Sequence, residues 1–289
     1  MVTIACGSLA ATFVPELGMV GASLRHDGTE LLALPEGIDG YRARRQAGLP
    51  LLAPWANRLG SRRFVVAGVP LDLGSLDLTV DEHDLPIHGT MTAVSGWSIV
   101  DQREDRVLAS FDYGAHPDLL VAYPFPHRLE LDATVRADRL TVRTTIEPTS
   151  DRVVPVSFGF HPYFQLADAP RGSWLLELPE REHAVLDDRS LPTGTWIAEP
   201  AERATLGTRT FDDLYAIGHD RQLAVAGGGR RIAIELGDAY PFAQVYAPRG
   251  GEFVCLEPMT AATNALVDGT APLVAPGERF TAEFSIVVR

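Results

Sequence analysis

Residues 153–166 (VVPVSFGFHPYFQL) place a histidine beside a tyrosine in surroundings that suit proton transfer. In an extended chain the bulky apolar residues fall on one face, and Ser157, Gly159, His161 and Tyr163 fall on the other. Because Ser157 and Gly159 carry little side chain, we expect a hollow beside His161. The pattern predicts acid–base chemistry on a small polar ligand. A hydrogen-bonded structural histidine is the alternative.

Residues 252–265 (EFVCLEPMTAATNA) supply a candidate base. In an extended chain Glu257 shares a face with Phe253 and Cys255, and it ends an apolar strand directly before Pro258. Partial desolvation raises the pKa of a carboxylate and makes it a better base. The alternative is a glutamate at a strand end that points into solvent.

Residues 241–248 (PFAQVYAP) show a pattern typical of a sugar-binding strand. Phe242, Gln244 and Tyr246 share one face, so that an amide lies between two aromatic rings. Sugar rings stack on aromatic faces, and sugar hydroxyls need donors and acceptors such as an amide. An aromatic stripe in a plain core is the alternative.

Three further segments carry polar side chains, and each has an ordinary explanation as a surface arginine, a turn histidine, or a cap or loop acid. They supply Asn57 and Arg58 (residues 53–59, APWANRL), His88 (residues 85–97, LPIHGTMTAVSGW), and Asp212 and Asp213 (residues 211–215, FDDLY).

Composition excludes several classes of partner and chemistry. The formal net charge of the 289 residues is -13, which disfavours nucleic acid and anionic membrane surfaces as partners. No apolar run approaches the roughly 18 residues that span a bilayer. All 25 basic residues are arginine, so lysine-based Schiff-base chemistry and a P-loop are excluded.

The two cysteines, Cys6 and Cys255, form no CxxC motif, so we expect reduced thiols and no structural zinc site of the usual kind. The N-terminus lacks the basic region of a secretory signal, which predicts a cytoplasmic protein.

The sequence predicts that short strands position these side chains. The 26 glycines and 21 prolines are spread along the whole chain and favour many turns. Apolar residues alternate through 128–135 and again through 140–146, which predicts a β-hairpin, and a similar alternation covers 281–288. Further strand candidates are residues 63–69, 107–111, 223–226 and 231–236.

Helical periodicity is scarce. Residues 41–48 favour a short helix and residues 201–206 a single helical turn. The lack of helices alternating with strands disfavours a parallel α/β fold. The sequence therefore predicts one all-β domain over residues 1–289, at the large end for a sandwich.

Taken together in this order, residues 53–264 resemble the aldose 1-epimerase (galactose mutarotase) family. HPYF and ANRL are the more specific of the matching motifs; HG, FD and the glutamine–aromatic pair are weaker. The resemblance implies a large antiparallel β-supersandwich that needs no cofactor or metal and acts on an aldohexose-like sugar.

The resemblance also implies roles for eight side chains. His161 would be the general acid and Glu257 the general base. Asp212 is preferred to Asp213 because it directly follows Phe211. The implied sugar-binding residues are Asn57, Arg58, His88, Tyr163, Asp212 and Gln244, with His88 and Tyr163 also orienting the acid.

The sequence departs from the family at identifiable places. HPYFQL, with Gln165, stands where HPYFNL is commoner, and LEPMTAATNAL replaces the better-known ETQ-type stretch around the base. The chain is also short for a galactose mutarotase. These features predict a shorter, divergent branch of the family.

Three other functions stay open from the sequence. His88, His161 and Glu257 would suit a two-histidine, one-carboxylate metal site, although no H-x-H or HExxH spacing supports it. The fold would also serve a non-catalytic sugar-binding or sensory protein. A mutarotase for a phosphorylated or acidic sugar would use arginines that flank residues 53–59. These are Arg44, Arg45, Arg62 and Arg63. Both a monomer and a homodimer are compatible with the sequence.

Overall fold

Antiparallel β-structure dominates the computed structural model, which describes residues 1–43 and 46–289. The strands are β1 (Val2–Cys6), β2 (Leu9–Val14), β3 (Val20–His26), β4 (Thr29–Glu30), β5 (Leu51–Leu52), β6 (Arg63–Val66), β7 (Val69–Asp72), β8 (Ser98–Gln102), β9 (Arg106–Asp112), β10 (His127–Arg136), β11 (Arg139–Pro148), β12 (Val154–Pro155), β13 (Gly159–Phe160), β14 (Tyr163–Phe164), β15 (Leu175–Leu178), β16 (Arg181–Leu186), β17 (Pro192–Glu199), β18 (Glu202–Thr205), β19 (Phe211–Ile217), β20 (Gln222–Gly227), β21 (Arg230–Leu236), β22 (Phe242–Ala247), β23 (Val254–Met259), β24 (Leu273–Val274) and β25 (Phe280–Val288).

Helices are few and short. The α-helices are α1 (Gly37–Arg42), α2 (Pro117–Ala122) and α3 (Ala265–Asp268), and single 3-10 turns cover Pro15–Leu17, Tyr113–Ala115 and Arg171–Ser173. No helix in the described part of the chain is long and apolar enough to cross a membrane.

Two large sheets form the body of the molecule. One has nine strands in the order β18-β15-β20-β21-β25-β11-β10-β9-β8, and the other has the order β17-β16-β19-β22-β23-β13-β5, with β14 also paired to β23. Their inner faces share one apolar core, in which Phe160 of β13 packs with its ring centroid 5.0 Å from that of Phe284 of β25. The predicted all-β class and β-supersandwich architecture are confirmed.

The hairpin predicted around residues 136–138 is present as β10 and β11. Its register pairs Val135 with Leu140 and Leu129 with Ile146, and all four side chains are buried. The apolar residues of each strand therefore face the core, as their alternation requires. β9 and β25 flank the hairpin in the nine-stranded sheet, which places the predicted strands at 107–111 and 281–288 beside it.

Three local predictions were wrong. Residues 63–69 are not one strand, because Ala67 and Gly68 have φ of 49° and 76° and turn the chain from β6 into β7. The segment 201–206 contains strand β18 (Glu202–Thr205) rather than a helical turn, because pairing with β15 satisfies the backbone groups of this strand. The helix predicted at 41–48 is α1 instead, displaced toward the N-terminus; residues 44 and 45 lie outside the described residues.

Residues 153–166 are also more broken than predicted. The segment forms three two-residue strands, β12, β13 and β14, in place of one. Pro155 and Pro162 lack the N–H that a continuous ladder needs. Both β13 and β14 pair with β23, so the turn between them lies over that strand. This arrangement brings His161 to β23.

Candidate active site

A cavity of about 270 Å³ opens above β22 and β23. Larger cavities, of about 450 and 540 Å³, lie elsewhere. The smaller one is the candidate site because the chemistry-bearing side chains converge there. All eight residues that the sequence singled out line it: Asn57, Arg58, His88, His161, Tyr163, Asp212, Gln244 and Glu257.

Strand pairing sets the floor of the cavity. Gln244 of β22 lies opposite Glu257 of β23, and Tyr246 lies opposite Cys255. The sequence prediction placed Glu257 at the end of a strand, and this was wrong, because β23 continues through Met259. A carboxylate in the middle of a central strand is enclosed on both sides, so the Glu257 side chain is only 1% exposed.

His161 reaches the same point from the turn between β13 and β14. Its Nε2 lies 3.2 Å from Oε1 of Glu257. The imidazole stacks on the Tyr163 ring at 4.4 Å with an interplanar angle of 9°, and the Tyr163 hydroxyl oxygen lies 3.5 Å from Nε2. The edge of His88 closes another side, with ring centroids 5.3 Å apart. The His161 ring is therefore held by stacking, with Nε2 aimed at the carboxylate.

Gly159 serves a purpose different from the predicted one. The sequence suggested that Ser157 and Gly159 leave a hollow beside His161. A Cβ at Gly159 would instead lie 2.6 Å from the carbonyl oxygen of Pro258 and 3.0 Å from Cβ of Ala56. The space is filled by protein, so the hollow prediction was wrong at this position. The glycine allows β13 to approach β23 closely.

The segments that carry Asn57 and His88 run side by side. The backbone N–H of His88 donates to the Asn57 carbonyl at 3.1 Å. Both residues adopt left-handed backbone conformations, with φ of 58° and 65°. Such conformations cost energy for non-glycine residues and cluster at functional sites. A Cβ at the next residue, Gly89, would lie 2.1 Å from the Ala53 carbonyl, so only glycine fits this crossing.

A chain of polar contacts crosses the cavity wall from Asp81 to Gln244. The Arg58 guanidinium donates to Asp81 at 2.6 Å, to Asp212 at 3.0 Å and to Asn57 at 3.3 Å. The Gln244 amide donates to the other oxygen of Asp212 at 2.7 Å. Arg58 and Asp212 are therefore fixed in orientation.

Asp81 is a residue of this site that the sequence analysis missed. Its carboxylate accepts hydrogen bonds from the backbone N–H groups of His83 and Leu85, both at 2.9 Å, and from the Arg58 guanidinium. Burial alone would raise the pKa of Asp81, but these hydrogen bonds outweigh it and lower that pKa. Asp81 thus holds Arg58 while it organises its own turn. The sequence did contain a signal for this residue: Asp81 begins a polar turn (residues 81–84) directly before Leu85 and Pro86.

Asp212 and Asp213 face opposite ways, since successive residues of a strand alternate. Asp212 lines the cavity, whereas Asp213 lies 3.2 Å from Nε2 of His183 and is not part of the lining. The structure therefore separates two neighbouring carboxylates that the sequence could rank only by resemblance.

Burial dominates the protonation of the central pair. It raises the pKa of Glu257 well above 4.5, with the charge of Asp212 adding to the effect and that of Arg58 opposing it. Burial, followed by the neighbouring His88, lowers the pKa of His161 well below 6.5. Burial and the charge of Arg58 lower the pKa of His88 to about 3, which makes that ring neutral. A neutral ring can both donate and accept.

Several buried polar atoms around the cavity lack a hydrogen-bond partner in residues 1–43 and 46–289. They are Nδ1 of His88, Nδ1 of His161, Oε1 of Gln244 and Oε2 of Glu257. Most buried polar atoms in proteins are paired. Four unpaired ones around a single cavity leave hydrogen-bonding capacity for a polar ligand.

Two of the four predicted anion-binding arginines, Arg62 and Arg63, do not join this cavity. Arg62 pairs with Asp84 at 3.4 Å and Arg63 with Asp72 at 2.9 Å, and neither lines it. Arg44 and Arg45 lie outside the described residues.

Comparison with known proteins identifies relatives over almost the whole chain. The family model described as aldose 1-epimerase matches residues 2–287. The comparison with curated proteins yields no match.

Solved structures of the same architecture include proteins from bacteria and from C. elegans. A provisionally assigned aldose 1-epimerase from Escherichia coli K12 is 22% identical, with a TM-score of 0.81 over 100% of this chain and 98% of its own. A galactose mutarotase-like protein from Clostridium acetobutylicum is 18% identical, with a TM-score of 0.86 over 99% and 94%. An aldose epimerase homologue from C. elegans is 18% identical, with a TM-score of 0.82 over 100% and 98%. At these identities the likeness establishes the fold.

Proposed function

Because the chain belongs to the aldose 1-epimerase family, we propose that it interconverts the α and β anomers of a free aldose by acid–base catalysis. The observation that carries the proposal is the 3.2 Å approach of His161 Nε2 to Glu257 Oε1 on the floor of a cavity. An acid and a base at this spacing can act together on one hemiacetal, because its anomeric hydroxyl and ring oxygen are bonded to the same carbon.

The reaction needs two proton transfers and one reversible bond cleavage. Glu257 takes the proton of the anomeric hydroxyl while His161 gives a proton to the ring oxygen. The bond between C1 and the ring oxygen breaks, and the open-chain aldehyde forms. Rotation about the C1–C2 bond presents the other carbonyl face, and reclosure returns both protons. Atoms and charge balance, with the anomeric configuration inverted.

The protonation of the resting pair is compatible with these roles. Burial raises the pKa of Glu257 and lowers the pKa of His161, and both shifts favour the uncharged pair, a carboxylic acid beside a neutral imidazole. The reactive carboxylate and imidazolium contain the same number of protons. One proton transfer across the 3.2 Å contact therefore converts the resting form into the reactive one, without exchange with solvent. Such a pair titrates as a unit.

The remaining side chains would bind and orient the sugar. Arg58, Asp212 and Gln244 present a fixed row of donors and acceptors to hydroxyl groups. Tyr246 lines the cavity and offers an aromatic face to the C–H face of a pyranose.

The charge of the cavity favours an uncharged sugar over a phosphorylated or acidic one. Among the described residues, Asp81, Glu82 and Asp212 line it together with one guanidinium, that of Arg58. A phosphate would meet carboxylates at this mouth, and Arg62 and Arg63 already have acidic partners.

The proposal is tested by anomer exchange, measured by NMR over a panel of aldoses that includes glucose and glucose 6-phosphate. We expect faster exchange than the spontaneous rate for neutral aldoses. Sugar binding without acceleration would instead identify a binding or sensory protein. Acceleration of glucose 6-phosphate alone would contradict the preference for an uncharged substrate.

Asp212→Asn should lower kcat/KM by about 10- to 100-fold, because hydrogen bonds that involve a charged group contribute about 1.5–3 kcal/mol. The substitution also weakens the hold on Arg58 and Gln244. Asp213→Asn is the matched control: it makes the same chemical change one residue away, on the other side of the strand. We expect the control to stay within about threefold of the wild type. Equal losses in both variants would contradict the assignment of Asp212.

A further inference from the structure

Cys255 is a buried free thiol that the proposed reaction does not use. It lies two residues before Glu257 on β23, so both side chains point to the same side of the sheet. Tyr163 and Tyr246 pair with it from the strands on either side. The thiol therefore lies beside the floor of the cavity, flanked by two tyrosines.

The thiol completes a set of three metal-ligand types. Ligand atoms of His161, Cys255 and Glu257 lie within 4.8 Å of one another, and the histidine and glutamate atoms are 3.2 Å apart. Ligands of a tetrahedral zinc ion, at about 2.0–2.3 Å from the metal, are themselves about 3.3–3.8 Å apart. The three ligand atoms would need to approach one another by up to about 1.3 Å to reach this spacing.

We propose that His161, Cys255 and Glu257 bind a zinc ion, and that the bound ion excludes the sugar. The site differs from the metal site that the sequence left open, since Cys255 takes the place of His88. An imidazole, a thiolate and a carboxylate suit zinc, whereas Mg²⁺ prefers a cage of oxygen atoms.

Two further observations favour a cation at this point. Oε2 of Glu257 has no hydrogen-bond partner among the described residues, so this carboxylate oxygen is not committed to another contact of the described chain. The carboxylates of Asp81, Glu82 and Asp212 line the same cavity and attract cations toward it. The site therefore has both unused ligand capacity and a favourable approach.

Occupancy by zinc and turnover of sugar are mutually exclusive. The ion would take the Nε2 lone pair of His161 and a carboxylate oxygen of Glu257, which are the atoms that transfer protons in the proposed reaction. Binding of zinc is independent of that reaction, whereas the inhibition rests on the proposed function.

Zinc binding is measured by calorimetry with ZnCl₂ on Cys6→Ala, which removes the partly exposed second thiol. We expect one zinc ion per chain in this parent. Addition of Cys255→Ser should weaken binding by at least the roughly 10- to 100-fold that the loss of a partner around a metal ligand costs. Titration with MgCl₂ should give no comparable binding. Equal zinc affinity in the two proteins would overturn the site.

Cobalt gives a second readout that depends on the thiolate. Co²⁺ in Cys6→Ala should show a sulfur-to-metal charge-transfer band that is missing in the Cys255→Ser protein; a band in both, or in neither, argues against Cys255 as a ligand. Because Cys255 is fully buried, thermal melts must show that the variant is folded. Cys255→Ala provides a second variant that introduces no buried hydroxyl.

Inhibition separates the two proposals. Zinc should suppress anomer exchange in Cys6→Ala, chelation by EDTA should restore it, and Cys6→Ala/Cys255→Ser should resist the same zinc concentration. Zinc bound through Cys255 without any effect on exchange would overturn the exclusion of sugar. If Cys6→Ala does not accelerate exchange at all, the proposed function fails, and calorimetry still decides the zinc site.

Discussion

Glu257→Gln should lower the enzymatic rate of anomer exchange by about 10²- to 10⁴-fold, the usual contribution of a positioned proton-transfer group. The amide keeps the shape of the side chain but cannot take the proton of the anomeric hydroxyl. We expect the loss in kcat rather than in KM, because the proton moves only in the transition state. NMR exchange spectroscopy at saturating sugar measures the effect.

The fold should survive this substitution. Burial already disfavours the charged form of Glu257, so a neutral amide fits the same surroundings, and the melting temperature should not fall markedly. Glu283→Gln, on β25 of the other sheet, is the control for loss of a carboxylate and should keep wild-type exchange. A Glu257→Gln protein that equilibrates a pure anomer as fast as the wild type would refute the assigned base.

His161 and Glu257 should also behave as one unit. If the two groups act together in a single step, His161→Gln combined with Glu257→Gln should be little slower than the slower single variant. If the fold-loss in rate of the double variant instead equals the product of the two single fold-losses, the two groups contribute independently.

Arg58→Met should reduce the free energy of unfolding by about 3–5 kcal/mol, the usual cost of removing one partner from a buried ion pair. The Arg58 side chain is 6% exposed and that of Asp81 is 2% exposed, so the substitution leaves a buried carboxylate without its counter-charge. Two backbone N–H groups still bind Asp81 but do not neutralise it. Urea unfolding measures the change.

Arg63→Met is the matched control. Its side chain is 79% exposed and pairs with Asp72 at 2.9 Å, a surface ion pair of the kind that contributes about 0–1 kcal/mol. Asp81→Asn in the Arg58→Met background should recover part of the lost stability, because it removes the unpaired charge. Equal losses of unfolding free energy in Arg58→Met and Arg63→Met would show that the buried ion pair stabilises the fold no more than the exposed one.

The fold class could be predicted from the sequence because its signals are local. Alternation through residues 128–146 needs only the pleat of a strand to indicate a hairpin. The helical turn predicted at residues 201–206 was wrong because the conformation of this segment depends on pairing with another strand, β15. Local preference carries no information about such a partner.

The members of the candidate site could be named in advance, but their contacts could not. The approach of His161 to Glu257 arises because β13 and β14 both pair with β23 across nearly a hundred residues of chain. Asp81 was missed because it is one of 38 acidic residues, and its importance comes from the Arg58 side chain that reaches it. Gly159 was noticed for the wrong reason, since the carbonyl of Pro258 that approaches it is invisible in a linear pattern.

The opposed orientation of Asp212 and Asp213 makes β19 intolerant of insertions and deletions. A slip of one residue in one direction would bring Asp213 into the cavity and leave His183 facing Leu214; a slip in the other direction would point Phe211 into the cavity. Changes in the length of the loops around β19 do not alter which of its side chains face the cavity. Natural variation in chain length should therefore accumulate in those loops and spare the strand.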